Sequence, residues 1–369
     1  MKFLLFAIAT FPIAILAEEM SNPAASSNGF RTEAQVVLVN PGQPEQHRQR
    51  LVRTDKVLAE ASTDTLDQSF SRFATKALLV ASRNSIVYEN YGTGVDSRST
   101  PLGYSMSKSL TGLAVGKALC RGDLALDDPA SKYLPRLGET SWGKATVKQL
   151  LQMQSGAFKT DLKYSGHKSQ QMQNYLGKSI SNGTMRDSFV DLMLKNDDQI
   201  LPAGKRFYYS NLDTVTLGLL VENATKTPFA TFFEKYLWEP SGAENAGAWL
   251  VNSNKEVSNY NGFSATARDW LQFGVYVLAE LKEGDECFKN FLKEATSTQV
   301  NSMGSSSTYG YQIWTECERG IDFCFTGYGG QYLLFNVAKD IVIYHHATNT
   351  NRKEKFFFTA MADVIRSIE

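Results

Sequence analysis

The sequence lacks any imbalance of charge: 38 lysines and arginines meet 38 aspartates and glutamates, giving a formal net charge of zero. A chain so balanced has no electrostatic footprint for nucleic acid or for an anionic membrane surface, and neither is expected as a partner. Histidine is scarce, with only His47, His167, His345 and His346. No His-Glu-x-x-His or Cys-x-x-Cys spacing occurs, which argues against a metal hydrolase, and no cofactor is expected. The Gly-x-Ser-x-Gly elbow of many Ser-His-Asp hydrolases is missing as well, since the nearest segment reads Gly-Tyr-Ser-Met-Ser from Gly103 to Ser107. His345 and His346 follow "DIVIY" and read as the cap of a strand end. Repeats and low-complexity blocks are absent too.

Long apolar runs are almost lacking. The one at the start, Phe3 to Leu16, is too short to span a bilayer comfortably. It follows Lys2 and precedes Ala17 and two glutamates, the shape of a secretory signal cleaved near Ala17. Residues 1–17 are therefore set aside from the fold. The mature protein is expected to be exported, periplasmic or secreted, with no stable membrane insertion. Export would make the four cysteines potential disulfide partners. Cys317 and Cys324 flank the turn-like "ERGIDF", so a hairpin could bring them within bonding distance, with partly buried thiols as the alternative. Four cysteines allow three pairings, and the sequence does not choose among them.

What is present is enough for a sizeable core: 369 residues, 43% of them hydrophobic. Residues 18–60 are rich in Ser, Asn, Pro, Gln and Arg and read as a flexible leader or surface strap. The texture changes near residue 77, where "KALLVASRNSIVYENYG" predicts two strands joined at "SRNS". Helices are predicted from Ser105 to Cys120, over "TVKQLL" with Thr146 as cap, and over 212–236 and 264–282. "YGYQIW", "QYLLFNVA" and "DIVIYHHA" predict late strands, and "KEKFFFTAMADVIRSIE" a closing helix. Strands at both ends with helices between predict an α/β protein of the α+β type. Its antiparallel sheet is drawn from about 77–100 and 305–369, with helices flanking it. A helical lobe is inserted at about 120–260, all within one domain spanning 61–369.

The pattern Ser-x-x-Lys occurs three times, at Ser105/Lys108, Ser141/Lys144 and Ser165/Lys168. Only Ser105 stands at the head of a well-formed apolar helix, where positions i and i+3 share a face and Lys108 can lie beside the hydroxyl. Ser141 precedes the better cap Thr146, and Ser165 sits in the turn composition "KYSGHKS". The alternative for Ser105 is plain capping with Lys108 in solvent. A serine becomes a nucleophile only when a base takes its proton, and lysine serves only when held neutral. The segment "FYYSNLDTVTLG" offers a third group, with Tyr209 and Asn211 two apart at the lip of a helix. Tyr88/Asn90 repeats that spacing inside a predicted strand and reads as packing plus a turn.

These pieces in this order, "YSMSKSLTGLAVGKAL", "LALDDPASKYLP", "TVKQLLQMQSG", "FYYSNLDTVTLGLLVE" and "GFSATARDWLQFG", resemble the class C β-lactamase superfamily of serine hydrolases from about residue 77 onward. The superfamily includes penicillin-binding carboxypeptidases, esterases and 6-aminohexanoate-dimer hydrolases. The resemblance implies a β-lactamase/transpeptidase-like fold. Where true class C enzymes carry Lys-Thr-Gly, this chain has Tyr328-Gly329-Gly330 in "FTGYGGQYLLF", without the cation that helps hold a substrate carboxylate. That departure is similar to the 6-aminohexanoate-dimer hydrolase and esterase branch. Glycines there would let the backbone approach a substrate closely.

The resemblance implies a site in which Ser105 attacks an ester or amide carbonyl and Lys108, with Tyr209, takes the proton. The backbone N–H groups of Ser105 and Tyr328 would form the oxyanion hole. Asn211 would orient the lysine or the acyl carbonyl, and Gly329 and Gly330 would border the substrate. Tyr164 resembles a tyrosine on the substrate loop of the amide-hydrolase branch. The expected partner is a small-molecule ester or amide. The alternatives are a penicillin-binding D-Ala carboxypeptidase or β-lactamase, and a non-catalytic binding relative of the same fold. The acyl group, the leaving group and the oligomeric state are not legible in the sequence.

Overall fold

Residues 75–82 carry two interleaved sets of small and aliphatic side chains, and both are buried: Ala77, Leu79 and Ala81 on one side, Leu78 and Val80 on the other. A strand buried on both faces belongs in the middle layer of a structure. The computed structural model describes residues 35–42, 51–53, 58, 60–157, 188–197, 201–301, 308–348 and 354–368. In chain order it begins with β1 (Gln35–Val39), β2 (Val52–Arg53), α1 (Glu60–Arg72), β3 (Thr75–Ser82) and β4 (Ser85–Tyr91). Among the described residues the principal helices that follow are α2 (Met106–Cys120), α3 (Ser141–Lys144), α4 (Val147–Leu151), α5 (Phe189–Lys195), α6 (Asn211–Thr225) and α7 (Phe229–Phe233). Then come β5 (Gly247–Val251), β6 (Phe263–Ser264), α8 (Ala267–Glu283) and α9 (Glu286–Ala295). The last stretch holds β7 (Val300–Asn301), β8 (Thr308–Tyr309), β9 (Trp314–Glu318), β10 (Ile321–Gly327), β11 (Gln331–Asn336), β12 (Ile341–Ala347) and α10 (Glu354–Ser367).

The main sheet runs β2-β4-β3-β12-β11-β10-β9-β8-β7. Its neighbours are antiparallel except β2 beside β4. Strands from the two ends of the chain thus meet at its centre, where Val80 faces Ile343 and Leu78 faces His345. Alternation sends Leu333, Phe335, Val342 and Tyr344 toward α2 and α8, and Leu334, Ile341 and Ile343 toward α1 and α10. Within the leader, Gln35–Val39 pairs antiparallel with Gly247–Val251 in a second, three-stranded sheet, β1-β5-β6.

Between the end segments lie the helices that carry the site. The expected apolar face of α2 turns out to be burial on every side, from Met106 through Gly116. Gly116 is needed because a Cβ there would lie 2.4 Å from the Phe291 ring of α9. The single helix predicted over 212–236 is broken. α6 stops at Thr225, Lys226 turns left-handed at φ +54°, and α7 starts after Pro228. Pro228 cannot continue the helix before it and is the stop signal in the sequence; the reading over 212–236 follows the apolar periodicity through it. Thr146 does cap α4, in a reciprocal capping box with Gln149. Among the described residues no helix is long and apolar enough to cross a membrane.

Both disulfides are formed, Cys120–Cys287 tying the end of α2 to α9 and Cys317–Cys324 bridging β9 and β10. The first closes a sequence separation of 167 residues and the second only 7. Loop-closure entropy therefore makes the first the larger constraint on the unfolded chain. The paired change Cys120→Ser/Cys287→Ser is expected to lower unfolding free energy in urea by about 2–4 kcal/mol, more than Cys317→Ser/Cys324→Ser does. Equal or reversed losses would contradict the assignment.

Candidate active site

The turn that opens α2 is gripped from two sides. On one, the Gly103 N–H donates to the Phe263 carbonyl at 2.8 Å, and the Phe263 N–H donates to Ser107 Oγ at 3.0 Å. On the other lies the end of β10, so near that a Cβ on Gly327 would sit 2.1 Å from the Gly103 carbonyl oxygen. Between them Tyr104 is held left-handed at φ +48°, an uncommon state for a bulky residue. Ser105 is already helical at φ −65°, ψ −7°, and its side chain makes no capping hydrogen bond. That last observation separates chemistry from punctuation: the hydroxyl stands at the helix start but does not serve the helix.

The hydroxyl faces Lys108 instead. Lys108 Nζ lies 3.2 Å from Ser105 Oγ and donates to the Tyr260 carbonyl at 2.8 Å. The lysine is 1% exposed, and burial lowers its amine from the usual lysine range to about 7. The rings of Tyr209 and Tyr260 lie 5.0 and 5.5 Å from Nζ. Among the described residues no carboxylate pairs with it, so nothing there restores the charge that burial removes.

Tyr209 completes the group. Its phenol shares a hydrogen bond with the Ser105 side chain, and burial pushes it up to about 12, so it is protonated at neutral pH. The ring stacks on Trp314 at 5.5 Å and 27° and meets Tyr309 edge-on at 6.2 Å. The backbone beside it is pinned too, with the Tyr208 N–H on the Met153 carbonyl at 2.8 Å. Helices α2 and α6 are cross-linked through shared partners. Gln312 accepts from Ser109 at its carbonyl (2.8 Å) and from Thr214 at its side chain (2.7 Å). Asn259 accepts from Thr111 (2.7 Å) and donates to the Thr214 carbonyl (2.8 Å). Buried polar pairs of this kind fix register as well as distance.

Asn211 opens α6 two residues after Tyr209 and is partly buried. Beneath this lip Asp213 is fully buried, with its carboxyl raised to about 6 by desolvation. It accepts from Ser155 Oγ at 2.6 Å and Trp142 Nε1 at 3.1 Å. Tyr328 follows β10, its side chain 77% exposed and its ring edge-on to Tyr104 at 5.9 Å. Gly329 and Gly330 are left-handed at φ +81° and +96°. A Cβ at Gly329 would meet no protein atom nearer than 3.6 Å, which leaves its backbone open, whereas Gly327 is packed tightly against the protein itself.

The other Ser-x-x-Lys copies fall away. Ser141 begins α3 with its hydroxyl buried, and Lys144 pairs at the surface with Glu139. Ser165, Lys168 and Tyr164 lie outside the described residues. On β4 Asn90 donates to the Tyr88 hydroxyl, which donates to Asp67 of α1, as packing. Sequence reasoning missed Tyr260, whose backbone carbonyl holds Lys108, and the aromatic support from Tyr309 and Trp314. A carbonyl acceptor leaves no side-chain signature, and "SNYNGF" gives none.

Comparisons with known proteins show what the chain is similar to. The sequence profile of the Beta-lactamase family matches residues 64–366. A 6-aminohexanoate-dimer hydrolase from Paenarthrobacter ureafaciens is 26% identical over 215 residues, covering 58% of this chain and 54% of that protein. Protein flp of Staphylococcus aureus (strain MRSA252) is 27% identical over 162 residues, 43% of this chain and 30% of its own length. The matched parts thus span about half or less of these curated relatives. Among solved structures, a Bacillus anthracis protein assigned as a 6-aminohexanoate-dimer hydrolase is similar with a TM-score of 0.75 at 23% identity, covering 90% of this chain and 91% of that one. A class C beta-lactamase gives a TM-score of 0.61 at 17% identity, covering 84% and 96%. These likenesses show a β-lactamase/transpeptidase-like fold.

Because Lys108 can take a proton only when uncharged, the reactivity of Ser105 is expected to rise with pH through a midpoint near 7. The rate of labelling by a fluorophosphonate probe measures this directly. Lys108→Met is expected to slow labelling by about 10²–10⁴-fold and flatten its pH dependence. A wild-type profile level from pH 5 to 9 would contradict the arrangement.

Proposed function

The chain belongs to the Beta-lactamase family, and from that premise we propose that it is a serine hydrolase cleaving an ester or amide through an acyl-enzyme on Ser105. One observation carries this reading: the Ser105 hydroxyl, unused by its helix, lies between a desolvated amine and a protonated phenol. Neutral Lys108 accepts the Ser105 proton as Oγ bonds to the carbonyl carbon, and the carbonyl electron pair moves onto oxygen. The N–H groups of Ser105 and Tyr328 receive that negative charge. As the tetrahedral carbon collapses, the bond to the leaving group breaks. Tyr209 gives the departing alkoxide or amine its proton and recovers one from the Lys108 ammonium. In the second half a water attacks the acyl carbon, its proton passes to Tyr209 and Lys108, and Ser105 leaves with its hydroxyl restored. A phenol raised to about 12 is poorly suited to start as a base, so the roles divide into lysine as base and tyrosine as acid. Asn211, at the head of α6, orients the lysine or the acyl carbonyl.

The substrate class follows from what flanks the nucleophile. Tyr328 presents a phenol beside Tyr104 where a lactamase has a cation, which favours an acyl group without a carboxylate to anchor. Linear esters and amides fit this description better than β-lactams or D-Ala peptides. The two disulfides support export, since such bonds persist in oxidising compartments, with residues 1–17 acting as the cleaved signal.

Ser105→Ala is expected to reduce turnover of a short-chain p-nitrophenyl ester on the order of a thousandfold or more, with circular dichroism unchanged. Against the native protein, short esters or linear amides are expected to be cleaved faster than a chromogenic cephalosporin or D-amino-acid peptides. Undiminished activity in the alanine variant, or a preference for the cephalosporin, would refute the corresponding part of the reading.

A further inference from the structure

The turn between β10 and β11 is built on two successive left-handed glycines, which bring it no side-chain mass of their own. Its rigidity has to come from elsewhere, and β12 supplies it through two histidines. His345 is fully buried, with Nδ1 2.8 Å from the Gly330 carbonyl oxygen and Nε2 2.8 Å from Thr75 Oγ1. A carbonyl only accepts, so Nδ1 carries the proton, and Nε2 must accept from the Thr75 hydroxyl. The imidazole is enclosed between Tyr332, at 5.6 Å and 9°, and Phe357, at 4.0 Å and 32°. On the opposite face His346 Nδ1 lies 2.5 Å from Gln331 Oε1. The Gln331 amide nitrogen donates to the Ala347 carbonyl at 2.7 Å and, more weakly at 3.4 Å, to the Tyr328 carbonyl. Its oxygen therefore faces His346, which donates to it.

The carbonyls of Tyr328 and Gly330 are thus both held by side chains fixed on β11 and β12. An apolar ring at 345 would fill the same space without the cost of burying an imidazole, so the hydrogen bond to the turn is the distinguishing gain. Desolvation also keeps both rings well below the usual histidine range, His345 at about 3 and His346 at about 4. They act as fixed neutral donors across the neutral range.

We propose that His345 is a positioning residue for hydrolysis. Through the Gly330 carbonyl, and together with the Gln331–His346 brace on Tyr328, it sets the angle at which the Tyr328 N–H faces the Ser105 oxyanion site. The proposal rests on the acyl-enzyme reading above. It goes further by assigning work to a histidine that touches no reacting atom.

The test compares kcat and KM for a p-nitrophenyl ester in His345→Phe and His345→Asn. Phenylalanine keeps the stacked ring but loses the donor, whereas asparagine places an amide N–H near the position of Nδ1. Loss of a whole oxyanion donor costs about 10²–10³-fold, so misaiming one is expected to lower kcat by about 10–100-fold, with KM within about twofold. His345→Asn is expected to recover most of kcat, and the acidic midpoint of the pH profile should stay put in both. Thr75→Val, which frees the tautomer, provides a milder check, with kcat reduced severalfold and KM held. A kcat unchanged in His345→Phe overturns the proposal, as do equal losses in the two His345 variants. Should His345→Phe not fold, an unchanged kcat in Thr75→Val does the same. If Ser105→Ala is inactive while these variants are normal, only this inference falls; an active Ser105→Ala would remove the acyl-enzyme reading itself.

Discussion

The structure depends on taking one amine out of water. Lys108 stands on the first full turn of α2, 1% exposed, with the Tyr260 carbonyl and the Ser105 hydroxyl as its hydrogen-bonding neighbours. A charged ammonium in such a place would need a carboxylate partner, and among the described residues none pairs with it. The enclosure therefore favours the neutral form, and the neutral form is what can accept a proton from serine. For this group alone, folding releases a proton between pH 7 and the ordinary lysine range. Its burial therefore weakens the fold at neutral pH and less so as pH rises toward that range. Stability is traded for a base.

Everything around the lysine serves to keep it buried and near its partners. α2 is enclosed on all sides, and its Cys120 is tied to α9. The Gln312 and Asn259 networks set α6 against α2, which places Tyr209 over the serine. From the far side the main sheet brings Gly327 against Gly103. The sheet itself closes only when β3, from the first quarter of the chain, pairs with β12 near its end. The site therefore rests on pairing between distant parts of the chain rather than on a local motif.

Much of this was legible from residues alone. The 75–91 hairpin announced itself through two strand-like runs joined at "SRNS", and the structure turns at Arg83 and Asn84. Ser105, Lys108 and Tyr209 were drawn together by order and spacing, although spacing could not tell a nucleophile from a cap. What decided it was the absence of a capping bond, which only the structure shows. His345 and His346 read as a strand end but prove to brace a turn across two strands. Contacts of that range have no local pattern. The Cys120–Cys287 pairing was equally out of reach, because 167 residues separate partners that meet only through helix packing. The break before α7 is marked by Pro228, but the apolar periodicity runs on through it, and a lysine rather than a glycine holds the left-handed position.

The fold is shared with a class C beta-lactamase and a penicillin binding protein, and at the rim of the candidate site Tyr328 is exposed. In this chain the buried amine lies beside a hydroxyl that its helix leaves uncapped. The central claim concerns that amine, and it can be observed without any substrate. Lysine labelled with ¹³C at Cε and ¹⁵N at Nζ, followed by NMR from pH 5 to 11, would show one signal titrating near 7 and missing from Lys108→Met. If every lysine signal titrated together above 10, Lys108 would be charged at neutral pH, and the account given for Ser105 would be wrong.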